Sequence, residues 1–273
     1  MRIRTEKIKK LVFCGFVLCL TVAIFPLLGL SQASAEILLT DDFEDSGRSN
    51  TIWTFKNPSA FGVVVDSAKA HSGKGVLEMR YDANTTGPGF EIVVFAKAVP
   101  EVYIRWLERY SPDWTWSGIA QKILFVNRGA KSIKEGLMFS TAWGSDEPRV
   151  DFENMGDRSD LLQNVGTRKG FGDGQWHCQE WYVKAGPSGS IKLWIDDELK
   201  MDHPNVPLPF SVLEGILLSA YYNEGGNTPN GVPHLQYRWI DDFVVSTSRV
   251  GCLPKTGDTT PPSTPKGLQV TSP

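Results

Sequence analysis

The sequence is poor in cysteine, shows no cluster of positive charge, and holds no stretch that reads as a helix within its central two hundred residues. It has four cysteines in 273 residues. Two of them, Cys14 and Cys19, lie in an apolar run near the start, so only Cys178 and Cys252 are left for the folded part. A framework of many disulfides is therefore excluded. The formal net charge is −3. With no basic patch against that background, nucleic acid and anionic membranes are poor partners. Also missing are a glycine-rich nucleotide loop, a zinc-type Cys/His spacing, a Ser/His/Asp nucleophile motif, a heptad pattern and any internal repeat.

What is present begins with a leader. Residues 1–10 carry five bases and one acid, Leu11 to Leu30 is apolar, and "SQASA" follows with small residues at Ala33 and Ala35. This pattern predicts a signal peptide over residues 1–35 and export of the remainder, with no membrane association after cleavage. Without residues 1–35, 23 Lys and Arg face 30 Asp and Glu, a net charge of −7. In an oxidising compartment Cys178 and Cys252 are either bonded or both buried as thiols. Residues 255–264, "KTGDTTPPST", read as an extended Pro/Thr linker.

Residues 36–254 read as one all-β domain, a two-sheet antiparallel sandwich of jelly-roll type. Strands are predicted at 75–81, 90–96, 102–110, 121–127, 135–142, 149–154, 176–184, 190–196, 215–222 and 235–247, with a helical turn near 159–164. "WHCQEWYVKAGPSGSIKLWID" (176–196) makes a hairpin. Alternation puts His177, Gln179 and Trp181 on one face and Cys178, Glu180 and Tyr182 on the other. In the second strand Ile191, Leu193 and Ile195 must face the core. A regular register would then set Lys192 and Trp194 on one solvated concave surface with His177, Gln179 and Trp181.

The "GQWH…E…V" strand, the turn and "IKLWIDDEL" resemble the paired strands of concanavalin A-like jelly rolls. Laminin G-type lectin domains and heparin lyase-like and alginate lyase-like enzymes belong to that group. "EVYIRWLERYSPDWTW" is similar to the strand and loop before the sugar-facing sheet of the lyase-like members. "LLTDDFEDSG", "AHSGKGVLEMRY" and "WIDDFVVSTS" resemble segments of sandwich carbohydrate-binding modules, whose terminal strands meet around a structural calcium. That resemblance implies Ca2+ held by Glu44 and Asp242, with Asp241 and Asp42 as alternates. Calcium takes six to eight hard oxygen ligands, and clustered acids repel one another without a cation. "TTPPSTPKGLQVTSP" resembles the start of a fibronectin type III domain, of which residues 265–273 are the first strand, as in a monomeric module of a longer chain.

The lyase resemblance implies a catalytic set. Polysaccharide β-elimination needs a group that neutralises the uronate carboxylate, a base for the C5 proton and an acid for the glycosidic oxygen. The candidates are Arg105, Gln121, His177 and Tyr222. "LLSAYYNE" (217–224) is similar to the Y-F-K-A-G-x-Y-x-Q strand of one alginate lyase family, with Tyr222 at the catalytic tyrosine. Leu218 stands for its Lys, Ala220 for its Gly and Glu224 for its Gln. "QKI" (121–123) keeps the Gln of that family's Q-I-H strand and loses the His. The carboxylate spacing of jelly-roll glucanases is absent, which argues against hydrolysis. For sugar stacking the candidates are Trp114, Trp116, Trp143, Trp181 and Trp194, with Gln179 and Lys192 beside them. The leading expectation is a secreted domain that recognises a polysaccharide. The alternatives are a lyase using the same groove and a structural or adhesive module. Convergence of Arg105, His177 and Tyr222 would favour the lyase.

Overall fold

A computed structural model of the chain describes residues 36–127, 136–141, 144–153, 172–223 and 230–252. All belong to the compact unit Ala35–Pro273. The expected leader, the linker, the fibronectin-like strand, the turn near 159–164 and Trp143 lie outside the described residues.

The fold is an antiparallel two-sheet β-sandwich. The strands are β1 (Ile37–Asp41), β2 (Phe61–Val65), β3 (Gly75–Tyr81), β4 (Phe90–Val99), β5 (Glu101–Tyr110), β6 (Lys122–Asn127) and β7 (Gly136–Thr141), then β8 (Pro148–Glu153), β9 (His177–Lys184), β10 (Gly189–Ile195), β11 (Glu198–Val206), β12 (Leu213–Ser219) and β13 (Gln236–Ser246). The larger sheet runs β11-β10-β9-β5-β13-β3-β2, and the smaller runs β4-β12-β6-β7-β8. β13 is long enough to pair with β3 through its first half and with β1 through its second.

The core between the sheets follows from alternation. Val102, Ile104 and Trp106 on β5, Ile191, Leu193 and Ile195 on β10, and Leu77, Met79 and Tyr81 on β3 line the inner face of the larger sheet. Phe139 from the smaller sheet stacks on Trp181 with centroids 3.9 Å apart.

Three strands and a helix escape the sequence reading. β11 is an edge strand with Pro204 inside it, a residue that only an edge tolerates. The helix α1 (Ser46–Trp53) begins at Asp45, whose side chain accepts the Arg48 N–H, and ends at Thr54 in a left-handed conformation. With two turns and little amphipathic pattern, it is held by its last residue: Trp53 is fully buried and its Nε1 donates to Asp41 at 2.8 Å.

Candidate functional site

Cross-strand partners share a face, so register sorts the smaller sheet into rows. Val93, Ile216, Val126, Leu137 and Phe152 form an inner row, and Ile92, Leu217, Phe125, Met138 and Asp151 form the outer row beside it. The outer row makes its own small apolar cluster of Phe125, Met138 and Leu217, with Phe90 and Ile92 against it.

Beyond that cluster the outer face turns polar. The β6–β7 register shifts between Lys122 and Leu124, and Lys122 joins the outer face with Phe125. Lys122 Nζ lies 5.7 Å from the Phe125 ring centroid and 5.3 Å from that of Tyr221, which is 38% exposed. Ser140 pairs with Lys122 on one side and Arg149 on the other. Ser140 Oγ donates to Asp151 at 3.0 Å, and Arg149 Nη2 donates to the same carboxylate at 2.5 Å. A phenol, an ammonium, a hydroxyl and a carboxylate-held guanidinium thus follow one another across the strand ends of the smaller sheet, from β12 to β8. The two cations can answer an anionic group, and the phenol can carry a proton.

The catalytic set expected from sequence does not converge. Gln121 and Tyr222 do meet, as an isolated antiparallel bridge. Both are fully buried on the inner side, where Tyr222 donates to the Thr115 carbonyl at 3.1 Å and Gln121 Nε2 to the Tyr221 carbonyl at 3.2 Å. Arg105 is on the larger sheet, 2% exposed, with Nη1 donating to the Asp242 carbonyl. Burial pulls its guanidinium below its ordinary pKa. His177 sits at the end of β9, between Asp196 at 2.9 Å and Asp173 at 3.4 Å.

The sugar-facing hairpin is corrected by register. Leu193 pairs with Trp181, and Trp194 pairs with Glu180. Trp181, with Gln179, therefore belongs to the core, where its ring is 1% exposed and its Nε1 donates to Gln179 at 2.9 Å. Trp194 is on the opposite, outer face of the larger sheet. Arg249 lies 4.5 Å over its ring and Tyr103 stacks on it at 6.3 Å, while Lys192 reaches Asp202. Trp114 and Trp116 pack with Tyr110, and Trp114 is 8% exposed. Of the aromatic set, only Trp116 and Trp194 keep appreciable exposure among the described residues.

The terminal acids gather around the segment 71–75. Glu44 Oε1 accepts the N–H groups of Lys74 and Gly75 at 2.8 and 2.7 Å. Asp241 accepts from His71, Ser72 and Asp242, and Asp242 faces the His71 ring at 3.2 Å. Asp42 accepts the Glu44 N–H. Burial, and then the Asp242 charge, push Asp241 up to about 7. A carboxylate close against Gly73 leaves no room for a side chain there: an added Cβ would sit 2.2 Å from Glu44 Oε1, at a φ of +57°. Among the described residues no group of three or more His, Cys, Asp or Glu side chains stands ready for a metal. Cys178 and Cys252 form a disulfide, with Cα atoms 5.8 Å apart. It fastens residues 249–252 to the hairpin, where buried Glu180 accepts from Val250, Gly251 and Arg249.

Lys122 and Tyr221 are what the sequence reading missed, each one residue from a residue it chose. Alternation separates Leu217, Ser219 and Tyr221 from Leu218, Ala220 and Tyr222, and which set faces out is shown only by the pairing of β12.

No protein-family model matches the chain, and no curated protein sequence matches it. Solved structures do. An alginate lyase variant in complex with alginate trisaccharide superposes with a TM-score of 0.55 at 13% identity, covering 77% of this chain and 98% of that one. The endo-beta-1,4-glucuronan lyase of Trichoderma reesei gives 0.54 at 16% identity, with 78% and 96% covered. A marine alginate lyase from Aplysia kurodai gives 0.57 at 12% identity, with 77% and 98% covered. At these identities the likeness is one of fold, and the fold the chain shares with them is the jelly-roll sandwich.

Proposed function

We propose that the protein is a polysaccharide lyase that cleaves a uronate-containing glycan by β-elimination on the outer face of the smaller sheet. The observation that carries this reading is the row of strand ends where Lys122 Nζ stands 5.3 Å from the Tyr221 ring centroid, with Ser140 and the Asp151-held Arg149 next in line. The fold neighbours that degrade alginate and glucuronan support it. Arg149 and Lys122 oppose the uronate carboxylate, so that removal of the C5 proton leaves a stabilised enolate-like centre. The Tyr221 oxygen, acting as the phenolate, takes that proton and becomes the phenol. The electron pair becomes the C4–C5 double bond, the C4–O4 bond breaks, and O4 leaves with a proton returned by the phenol. Binding without turnover is the competing reading; of its expected carriers Trp181 and Gln179 are core, Trp194 is partly covered by Arg249, and Trp116 keeps some exposure.

Tyr221→Phe removes the proton carrier while keeping the ring beside Lys122. Turnover of uronate polysaccharide is expected to fall by about 10²–10⁴-fold, the usual range for a lost acid–base group. Full activity in that variant would sink the assignment.

We also propose that the protein acts outside the cytoplasm, which the disulfide supports. Calcium at Glu44 and Asp242 is proposed as a structural ion, remote in role from the chemistry at Tyr221.

A further inference from the structure

The core of the sandwich holds a charged pair that packing alone does not call for. Glu108 and Arg238 are both fully buried on the inner face of the larger sheet. Arg238 Nε donates to Glu108 Oε2 at 3.1 Å, and Nη2 approaches the same oxygen at 3.0 Å. Tyr110 donates to that carboxylate at 3.2 Å, and Gln179 donates to its other oxygen while accepting from Trp181. Burial works against the Arg238 charge, and Tyr110, Glu108 and Tyr81 outweigh it to hold the guanidinium above its ordinary pKa. Buried pairs of this kind are often matched or bettered in stability by apolar replacements, so stability is a weak reason for keeping one.

The free end of this pair points across the core. Arg238 Nη1 donates to the Ser219 carbonyl of β12 at 3.1 Å. Ser219 is the last residue of that strand, and its Oγ accepts the Tyr221 N–H at 3.2 Å. The Tyr221 carbonyl accepts from two directions, the Lys122 N–H at 3.0 Å and Gln121 Nε2 at 3.2 Å. Gln121 is fully buried, and its Oε1 has no partner among the described residues. Backbone carbonyls where β12 ends are thus gripped from the inside by Arg238 and Gln121, while the side chains of Tyr221 and Lys122 project outside.

We propose that Glu108, Arg238 and Gln121 are positioning residues: they fix the end of β12 so that Tyr221 is held in register with Lys122. The inference rests on the lyase reading for its effect on turnover. Its effect on the backbone stands apart from that reading. Without these grips the segment keeps only the backbone bonds of Ala220 to Gly89, Tyr222 to Thr86, Asn223 to Ala120 and Lys122 to Tyr221, and opening it locally costs less. A reacting group displaced by about 1 Å can lose a hundredfold in rate.

The test pairs Glu108→Gln with Arg238→Met in the full chain. The amide oxygen introduced at 108 still accepts from Gln179, so the neutral pair keeps most of the core network. Two quantities are read: protection of the Lys122 amide in hydrogen exchange, and kcat against KM on uronate polysaccharide. The proposal expects a folded variant whose Lys122 amide exchanges at least about tenfold faster than in the parent, while core amides of β5 and β9 keep their protection. It expects kcat to fall about a hundredfold with KM little changed, and Arg238→Lys to recover part of the loss. An unchanged Lys122 amide in a folded variant overturns it. If the double variant does not fold, Gln121→Met decides by the same two readouts, since it removes the Nε2 grip together with the unpartnered Oε1. If the parent protein turns over no uronate polysaccharide, the lyase reading fails, and the amide measurement still decides whether these residues fix the strand end.

Discussion

The outer faces of the two sheets carry similar residue types and use them differently. On the larger sheet, charge and aromatic surface are spent on holding the chain. Arg109 sits 5.2 Å from the Trp176 ring centroid and 4.7 Å from that of Trp239, and its Nη2 donates to the carbonyls of Ala68 and Lys69. Glu180 is closed over by residues 249–251, and Arg249 covers Trp194. On the smaller sheet Tyr221 stays exposed beside Lys122, and the ion pair of Arg149 with Asp151 fixes a cation in the row. Residue type does not mark a site. A site is marked where polar groups of fixed geometry border an exposed reactive side chain, as they do at Tyr221.

The comparison can be broken first at the core. If Trp181 belonged to an outer surface, Trp181→Ala would spare the fold. Its place against Phe139 predicts instead a loss of roughly 3–5 kcal/mol in unfolding free energy, measurable by denaturant titration. The second break point is the strap on the larger sheet. The disulfide closes a separation of 74 residues, so Cys178→Ser with Cys252→Ser should cost roughly 2–4 kcal/mol. Unchanged thermal stability there would mean that the strap is held by Glu180 alone.

Calcium sharpens the contrast from the other side. An ion bound only by the native state at about a hundredfold excess over its Kd adds roughly 2.7 kcal/mol. Chelation should therefore lower the melting temperature of the parent and leave that of Asp242→Asn where it is. A parent indifferent to chelator removes the ion. The smallest effect is expected at His177, which the larger sheet holds between two partly exposed aspartates. His177→Ala should cost less than about 1 kcal/mol, as exposed ion pairs do, and leave turnover in place. A collapse of turnover would return catalysis to the larger sheet.

Much of this was legible in the sequence. The strand 75–81 coincides with β3, and the other nine expected strands match within about three residues, the usual slack at element ends. Apolar alternation and turn residues carry that information locally. The site was legible only as far as its strands. "QKI" and "LLSAYY" do lie side by side at one end of the smaller sheet, but the side chains that face out are Lys122 and Tyr221, not Gln121 and Tyr222. A slip of one residue exchanges the two faces of a strand, and nothing local separates an inward from an outward tyrosine where both phases are apolar. The same ambiguity lets alternation alone set Trp181 beside Trp194, and the pairing of Leu193 with Trp181 separates them.

The most direct measurement is product analysis with the parent chain. Incubated with alginate, glucuronan and other uronate polysaccharides, it should release oligosaccharides with a C4–C5 double bond at the new non-reducing end, seen as ultraviolet absorbance and as the vinyl proton in NMR. Tyr221→Phe should bind the same glycan and release none at a comparable rate. Glycan binding by the parent without any unsaturated product would contradict the account and leave a recognition protein on a lyase fold.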